Sequence, residues 1–183
     1  SCKVLCVIKG NAYGHGAVEV SKELERAGCE ILGAATIEEA MELREHGIKL
    51  PVLLLGPINP AYAALAAEQG FIVPLIDAAH AEELSAAAAA AGKTIEAHLK
   101  IDTGMSRYGL SVGKDMDGCV AEALHMTKLP NLRVTGVFTH FAVANILEED
   151  AFTRRQMTLF RTFSDRMEQN GVKLLRHCAN SPG

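Results

Sequence analysis

The sequence has no apolar run near the roughly 20 residues a membrane-crossing helix needs, no C-x-x-C pair of cysteines and no excess of basic charge. Each absence removes a class of function. No membrane span is expected, and no secretory leader is read at the start, so the expected location is the cytoplasm. With 18 Lys and Arg against 22 Asp and Glu the formal net charge is -4, and the pI is near 6.0. Such a chain offers no field for holding a phosphodiester backbone, which sets nucleic acid aside as a partner and favours small-molecule chemistry. The five cysteines, at positions 2, 6, 29, 119 and 178, are odd in number. They are read as reduced core or near-core residues, neither a disulfide framework nor a zinc site, with Cys178 in a more polar setting. His46, His80 and His125 show no metal-ligand spacing and are read as surface residues on or beside helices, so no metal is expected. The one low-complexity stretch, an alanine run ending at Ala91, is explained as an exposed helix built of the best helix former.

What is present is an ordinary globular composition, with 49% hydrophobic and 22% charged residues in a chain of 183, enough for one sizeable core. Apolar runs of strand length are read at 3–8, 31–35, 52–55, 71–75, 94–101, 132–138 and 173–175. Stretches of helical period lie between them at 15–27, 36–45, 59–69, 77–91, 114–126 and 148–170. Thr36-Ile37-Glu38-Glu39 reads as a capping box, and Gly28, Gly47, Gly70, Gly92 and Gly171 stand where helix ends are expected. Nearly all-apolar strands such as Val52-Leu53-Leu54-Leu55 imply a parallel sheet covered by helices on both faces. A (β/α)₈ barrel and an open doubly wound sheet both satisfy that pattern. The barrel is favoured, because polar residues collect after several strands instead of at one switch point, and Gly10 to Gly16 does not form G-x-G-x-x-G. An eighth strand is not found.

The residues able to do chemistry follow the strands. Lys9 ends the first, where a dry surrounding would favour the neutral, nucleophilic amine. Lys100, Asp102 and Arg107 surround the end of the fifth, with Asp102-Thr103-Gly104 read as a tight turn and Arg107 as a planar donor for carboxylate or phenolate. His140 follows the sixth, and His177-Cys178-Ala179-Asn180-Ser181 follows the seventh, with groups of the kind that bind phosphate. Each has a plain structural reading too: a snorkelling lysine, an Arg–Asp pair, a satisfied core histidine, an ordinary loop. Arg154, Arg155, Arg161 and Arg166 along the last helix, behind Glu148, Glu149 and Asp150, read as a solvated or interface face.

Taken together, Val7-Ile8-Lys9-Gly10-Asn11-Ala12-Tyr13-Gly14-His15-Gly16, Leu99-Lys100-Ile101-Asp102-Thr103-Gly104-Met105-Ser106-Arg107, Thr139-His140-Phe141-Ala142 and Ala179-Asn180-Ser181 resemble the alanine racemase family in order and approximate spacing. The resemblance covers essentially the whole chain and implies a pyridoxal 5'-phosphate enzyme on a (β/α)₈ barrel, dimeric, with a C-terminal β domain. It implies that Lys9 holds the cofactor as an imine and serves as one of two bases, and that Tyr13 and Ser181 contact its phosphate. Arg107 would bond the phenolic oxygen and approach the substrate carboxylate. Lys100 would position that arginine, as a carbamate in many members. His140 would lie beside the pyridine ring, and Asn180 with His177 would support the site. The activity implied is interconversion of L- and D-alanine for cell-wall peptide synthesis.

Family members take further phosphate-binding backbone and an arginine partner for the pyridine nitrogen from the next strand, and the second base, a tyrosine acting across the dimer, from the C-terminal domain. None lies before Gly183, so the chain is read as a cut through a larger enzyme and is expected to be inactive alone. Pro182 stands where a small residue is usual. Three alternatives compete: a serine or serine/alanine racemase of the same family, a non-catalytic pyridoxal phosphate-binding barrel, and a cofactor-independent aldolase acting through Lys9.

Overall fold

A computed structural model describes residues 3–180. The chain divides into two compact units, 1–74 with 86–96 and 75–85 with 97–183. The first carries β1 (Leu5–Val7), β2 (Ile31–Ala34), β3 (Val52–Leu54) and β4 (Phe71–Leu75). These pair in chain order and in parallel, with Leu5 opposite Ile31, Leu32 opposite Val52 and Val52 opposite Phe71. Val52, Leu53, Leu54, Phe71, Ile72 and Val73 are all buried, so successive side chains on both faces are covered, as the unbroken apolar runs require. Between the strands lie α1 (Lys9–Tyr13), α2 (Ala17–Arg26), α3 (Ile37–Glu45) and α4 (Ala63–Glu68). Thr36 Oγ1 accepts from Glu39 N–H at the start of α3, the half of the capping box that sequence foresees.

The second unit takes up residues 75–85 and 97–183, so that α5 (Ala78–Ala90) and β5 (Ile95–Asp102) both cross the division. It continues through β6 (Leu110–Ser111), α6 (Met116–Met126), β7 (Leu132–Thr139), α7 (Asp150–Gln169) and β8 (Leu175–Cys178). β7 lies between β5 and β8, parallel to β8 with Phe138 opposite His177, while β6 pairs with the end of β5. Helix α7 buries Gln156, Phe160, Phe163, Ser164 and Met167. Its other side carries ion pairs, Arg154 with Asp150 at 2.7 Å and Arg166 with Asp117 of α6 at 2.6 Å.

The helices and all seven longer strands expected from sequence are present, and the five glycines read as helix ends all have φ between 63° and 83°. Three differences have physical causes. The last strand starts two residues later than the apolar run suggested, because its register on Gly136 to Thr139 extends pairing through Cys178. His177 and Cys178 are therefore strand residues, not loop residues. The alanine helix is not simply exposed: Ala81, Leu84 and Ala88 have no exposed surface, and Ser85 Oγ donates to the Pro130 carbonyl. The left-handed form of the α1 turn, and β6, were not anticipated. Cys6, Cys29, Cys119 and Cys178 are free thiols, and burial pushes Cys6 and Cys119 up to about 11, so neither is a nucleophile near neutrality. Cys178 is exposed, and Cys2 lies outside the described residues. Among the described residues no helix is long and apolar enough to cross a membrane.

Candidate active site

Lys9 and Tyr13 belong to the first unit. Ile8 is buried, and Lys9 follows it, half-buried, where β1 stops. Its amine has no hydrogen bond or ion pair among the described residues. Chain direction then changes through α1, whose backbone is left-handed. Gly10, Asn11 and Ala12 have φ of 59°, 54° and 52° with ψ near 47°, and Tyr13 continues at φ 56°. Glycine and asparagine accept this conformation readily, but Ala12 and Tyr13 hold it against a preference of about 1–2 kcal/mol each. Local bonds hold the turn: Ala12 N–H donates to the Ile8 carbonyl at 2.7 Å and Gly14 N–H to the Gly10 carbonyl at 3.1 Å. Asn11 Oδ1 accepts from Ala17 N–H at 2.7 Å and so starts α2. The carboxylate of Glu39 accepts from Gly10 N–H at 2.8 Å and from Ala35 N–H at 2.7 Å. Sequence reading spent Glu39 on the capping box; its side chain instead ties the Lys9 turn to the end of β2. Tyr13 is 61% exposed, which leaves its phenol open to a ligand.

The second unit holds Lys100, Arg107, His140, His177 and Asn180. Lys100 is 5% exposed, and its ammonium sits 5.0 Å from the centre of the Phe138 ring. Burial, and then the Arg107 guanidinium, pull it down to about 8 against the pull of Asp102. One residue pair up the strand, His98 is buried and its Nδ1 lies 2.9 Å from Nε2 of His177. The His177 ring stacks on Phe138, with centroids 5.1 Å apart. Burial, then His98 and Lys100, push His177 down to about 3. Only a glycine opposite admits this pair, since a Cβ on Gly136 would lie 2.6 Å from the His98 ring. His98, whose direction sequence left open, thus faces the same cluster as His177.

The tight turn expected at Asp102 is present: Asp102 Oδ1 accepts from Gly104 N–H at 2.9 Å and Ser106 N–H at 3.0 Å. It delivers Arg107 to the surface, where the guanidinium makes no ion pair among the described residues, so the structural Arg–Asp pair does not form. Arg107 borders an open cleft of about 580 Å³ with Asp77, Lys114, Asp115 and Glu122. His140 is half-buried, and its carbonyl accepts from Gln156 Nε2 at 3.2 Å. Asn180 Nδ2 donates to the Phe141 carbonyl at 3.2 Å, while its Oδ1 is buried with no partner among the described residues. Ser181 lies outside the described residues. Among those residues no group of three His, Cys, Asp or Glu is placed to hold a metal. Gln156 and Glu39 are the two polar residues that sequence reading passed over. Gln156 had a signal: it interrupts the apolar stripe continued by Phe160, Phe163 and Met167.

The sequence model of the family described as alanine racemase, N-terminal domain, matches residues 1–183. Alanine racemase 2 of Caldanaerobacter subterraneus subsp. tengcongensis is 41% identical over 180 residues, 98% of this chain and 45% of the relative. The crystallised alanine racemase of Clostridium difficile 630 is 34% identical and superposes with a TM-score of 0.92 over 98% of this chain and 49% of that one. A histidine racemase from Leuconostoc mesenteroides subsp. sake is 28% identical, with a TM-score of 0.86 over 98% of this chain and 47% of that one. The chain spans about half the length of the curated relatives it matches. The fold is thus an incomplete (β/α)₈-type barrel, α/β with parallel strands.

Proposed function

Because the chain belongs to the alanine racemase N-terminal domain family, we propose that it is the cofactor-bearing half of a racemase that interconverts L- and D-alanine. One observation carries the reading furthest: the half-buried Lys9 amine, without a partner among the described residues, stands at a strand end ahead of a strained left-handed turn. An amine that must bond a carbonyl has to be free of ion pairs, and backbone strain concentrates where function requires it. The residues fit pyridoxal 5'-phosphate, which when bound supplies an electron sink that acidifies the substrate Cα–H.

Lys9 would hold that group and, through Nζ, take or return the Cα proton on one face. Tyr13 would donate its phenolic proton to the phosphate, with Ser181 as a second donor. Arg107 would bond the phenolic oxygen and orient the substrate carboxylate, and His140 would flank the pyridine ring. Asn180 would brace the phosphate segment, with its spare Oδ1 open to a donor. Lys100 would position Arg107. Its pKa, lowered to about 8, makes the neutral amine easier to reach than in an ordinary lysine, and that form adds carbon dioxide: the N–C bond forms, a nitrogen proton leaves to solvent, and the carbamate's charge balances Arg107. The opposite face needs a second base, which we assign to a tyrosine of a C-terminal β domain reaching across a homodimer. We place the enzyme in the cytoplasm, making D-alanine for cell-wall peptide.

The test is interconversion assayed in the complete enzyme with pyridoxal 5'-phosphate and, separately, L-alanine, L-serine and L-histidine. The expected result is D-alanine formation that depends on added cofactor and exceeds turnover of the other two. Cofactor binding without interconversion would favour the non-catalytic barrel, and trapping of Lys9 by a carbonyl substrate without pyridoxal phosphate would favour the aldolase.

A further inference from the structure

Two loops of the second unit, one leading to Arg107 and one beginning at His140, share a single buried side chain. Gln156 has no exposed surface. Its Nε2 donates to Thr103 Oγ1 at 3.1 Å and to the His140 carbonyl at 3.2 Å, and its Oε1 accepts from Ala142 N–H at 2.9 Å. The orientation of the amide is forced, because Ala142 N–H can only donate and the His140 carbonyl can only accept. Both amide protons are therefore used. Thr103 Oγ1 accepts from Gln156 and shares a further hydrogen bond with Thr139 Oγ1 at 2.9 Å. Hydrogen bonds thus link Gln156 through Thr103 to Thr139, which immediately precedes His140. On its other side Thr103 adjoins Asp102, whose carboxylate bends the segment that ends at Arg107. The 140–142 turn is also gripped at Phe141 by Asn180.

A helix that merely had to pack would carry an apolar residue here, in line with Phe160, Phe163 and Met167. A buried amide costs stability unless every polar atom is paired. Gln156 makes none of its side-chain bonds within its own helix, and all of them to the two loops. We propose that Gln156 is the positioning residue that fixes the Arg107 and His140 loops in common register, a role that rests on the racemase reading above. Displacement of reacting groups by as little as an ångström can lower rate by about a hundredfold, so the effect belongs in kcat.

The experiment compares Gln156→Met and Gln156→Glu with wild type in the complete, pyridoxal phosphate-loaded enzyme. Kinetics with alanine, visible circular dichroism of the bound cofactor and thermal melting are recorded. Q156M removes both donors at constant size. It is expected to lower kcat at least about tenfold with KM within about twofold, and to change the cofactor dichroism well below its melting temperature. In Q156E a neutral carboxyl keeps one donor and one acceptor, whereas the ionised form has no donor. The kcat of Q156E relative to wild type should therefore rise as pH is lowered from about 9 to about 6, because burial holds the carboxyl neutral longest. The Q156M ratio should stay level. Should Q156M melt below the assay temperature, the slope of Q156E decides alone. Wild-type kcat and dichroism in Q156M, or a level Q156E ratio, overturns the proposal and leaves the racemase reading standing. Absence of interconversion by wild type overturns both.

Discussion

In the first unit the residues after β1 are held by main-chain geometry. Four consecutive positions, Gly10 to Tyr13, share left-handed φ values, and the bonds that keep them there are made by backbone groups, Asn11 and Glu39. In the second unit the corresponding strand ends are held by buried side chains. Of the eight buried polar or charged residues among the described ones, only Ser21 belongs to the first unit. His98, Lys100, Thr103, Thr139 and Gln156 of the second all lie at or beside a proposed site residue. Two ways of fixing a side chain in the same β/α architecture thus divide between the units. A backbone device tolerates solvent exposure, as at Tyr13. A buried polar network works only when every member is satisfied, and it therefore reacts to volume and to protons.

The buried network of the second unit is most vulnerable at Gly136. Gly136→Ala would put a methyl 2.6 Å from the His98 ring, forcing it off His177. The expected cost is about 2–4 kcal/mol, from overpacking and a lost buried hydrogen bond. Denaturant titration measures it. A loss under about 0.5 kcal/mol would mean that the network yields easily and is not what holds the second unit.

Acid should expose the same asymmetry. His177 is held near 3, well below the ordinary 6.5, so below 6.5 the unfolded chain takes up a proton that the folded imidazole refuses. Stability from this group is fully present above 6.5 and is lost as pH falls from there to about 3. Lys100, held near 8 against 10.5, adds stability as pH rises through that window, for the same reason. His177→Gln should flatten the acid limb of a stability-versus-pH curve measured by denaturant unfolding. An unchanged limb would place the acid sensitivity elsewhere.

The smallest expected effect sharpens the first unit. Tyr13→Gly relieves left-handed strain at an exposed position and should raise stability by about 1 kcal/mol, while weakening pyridoxal phosphate binding. Thermal melting without cofactor, and cofactor titration, separate the two. A destabilised Tyr13→Gly would mean that the tyrosine ring contributes packing that outweighs its strain.

The elements were largely legible because the apolar periods and helix punctuation were unambiguous: β4 falls on Phe71–Leu75 as read, and α6 and α7 differ only at their ends. Pairing register was not legible. The apolar run at 173–175 gave no hint that His177 and Cys178 continue the strand, since Gly136 to Thr139 decide that from 39 residues away. The left-handed turn was half legible. Glycines at 10, 14 and 16 announced a turn, but nothing local assigns Ala12 and Tyr13 a conformation they disfavour. Lys9, Lys100, Arg107 and His140 were visible as strand-end residues. Glu39 and Gln156 were not: Glu39 also satisfied a simpler pattern, a helix cap, and Gln156 showed itself only as a polar break in the buried stripe of α7.

Borohydride reduction in the presence of pyridoxal 5'-phosphate, followed by peptide mapping, reads directly which amine of the chain holds the cofactor. A single reduced pyridoxyl group is expected on Lys9, at the end of β1 ahead of the left-handed turn, with Lys100 unlabelled despite its lowered pKa, because its side chain is buried. A label on Lys100, or on no lysine of this chain, would contradict it.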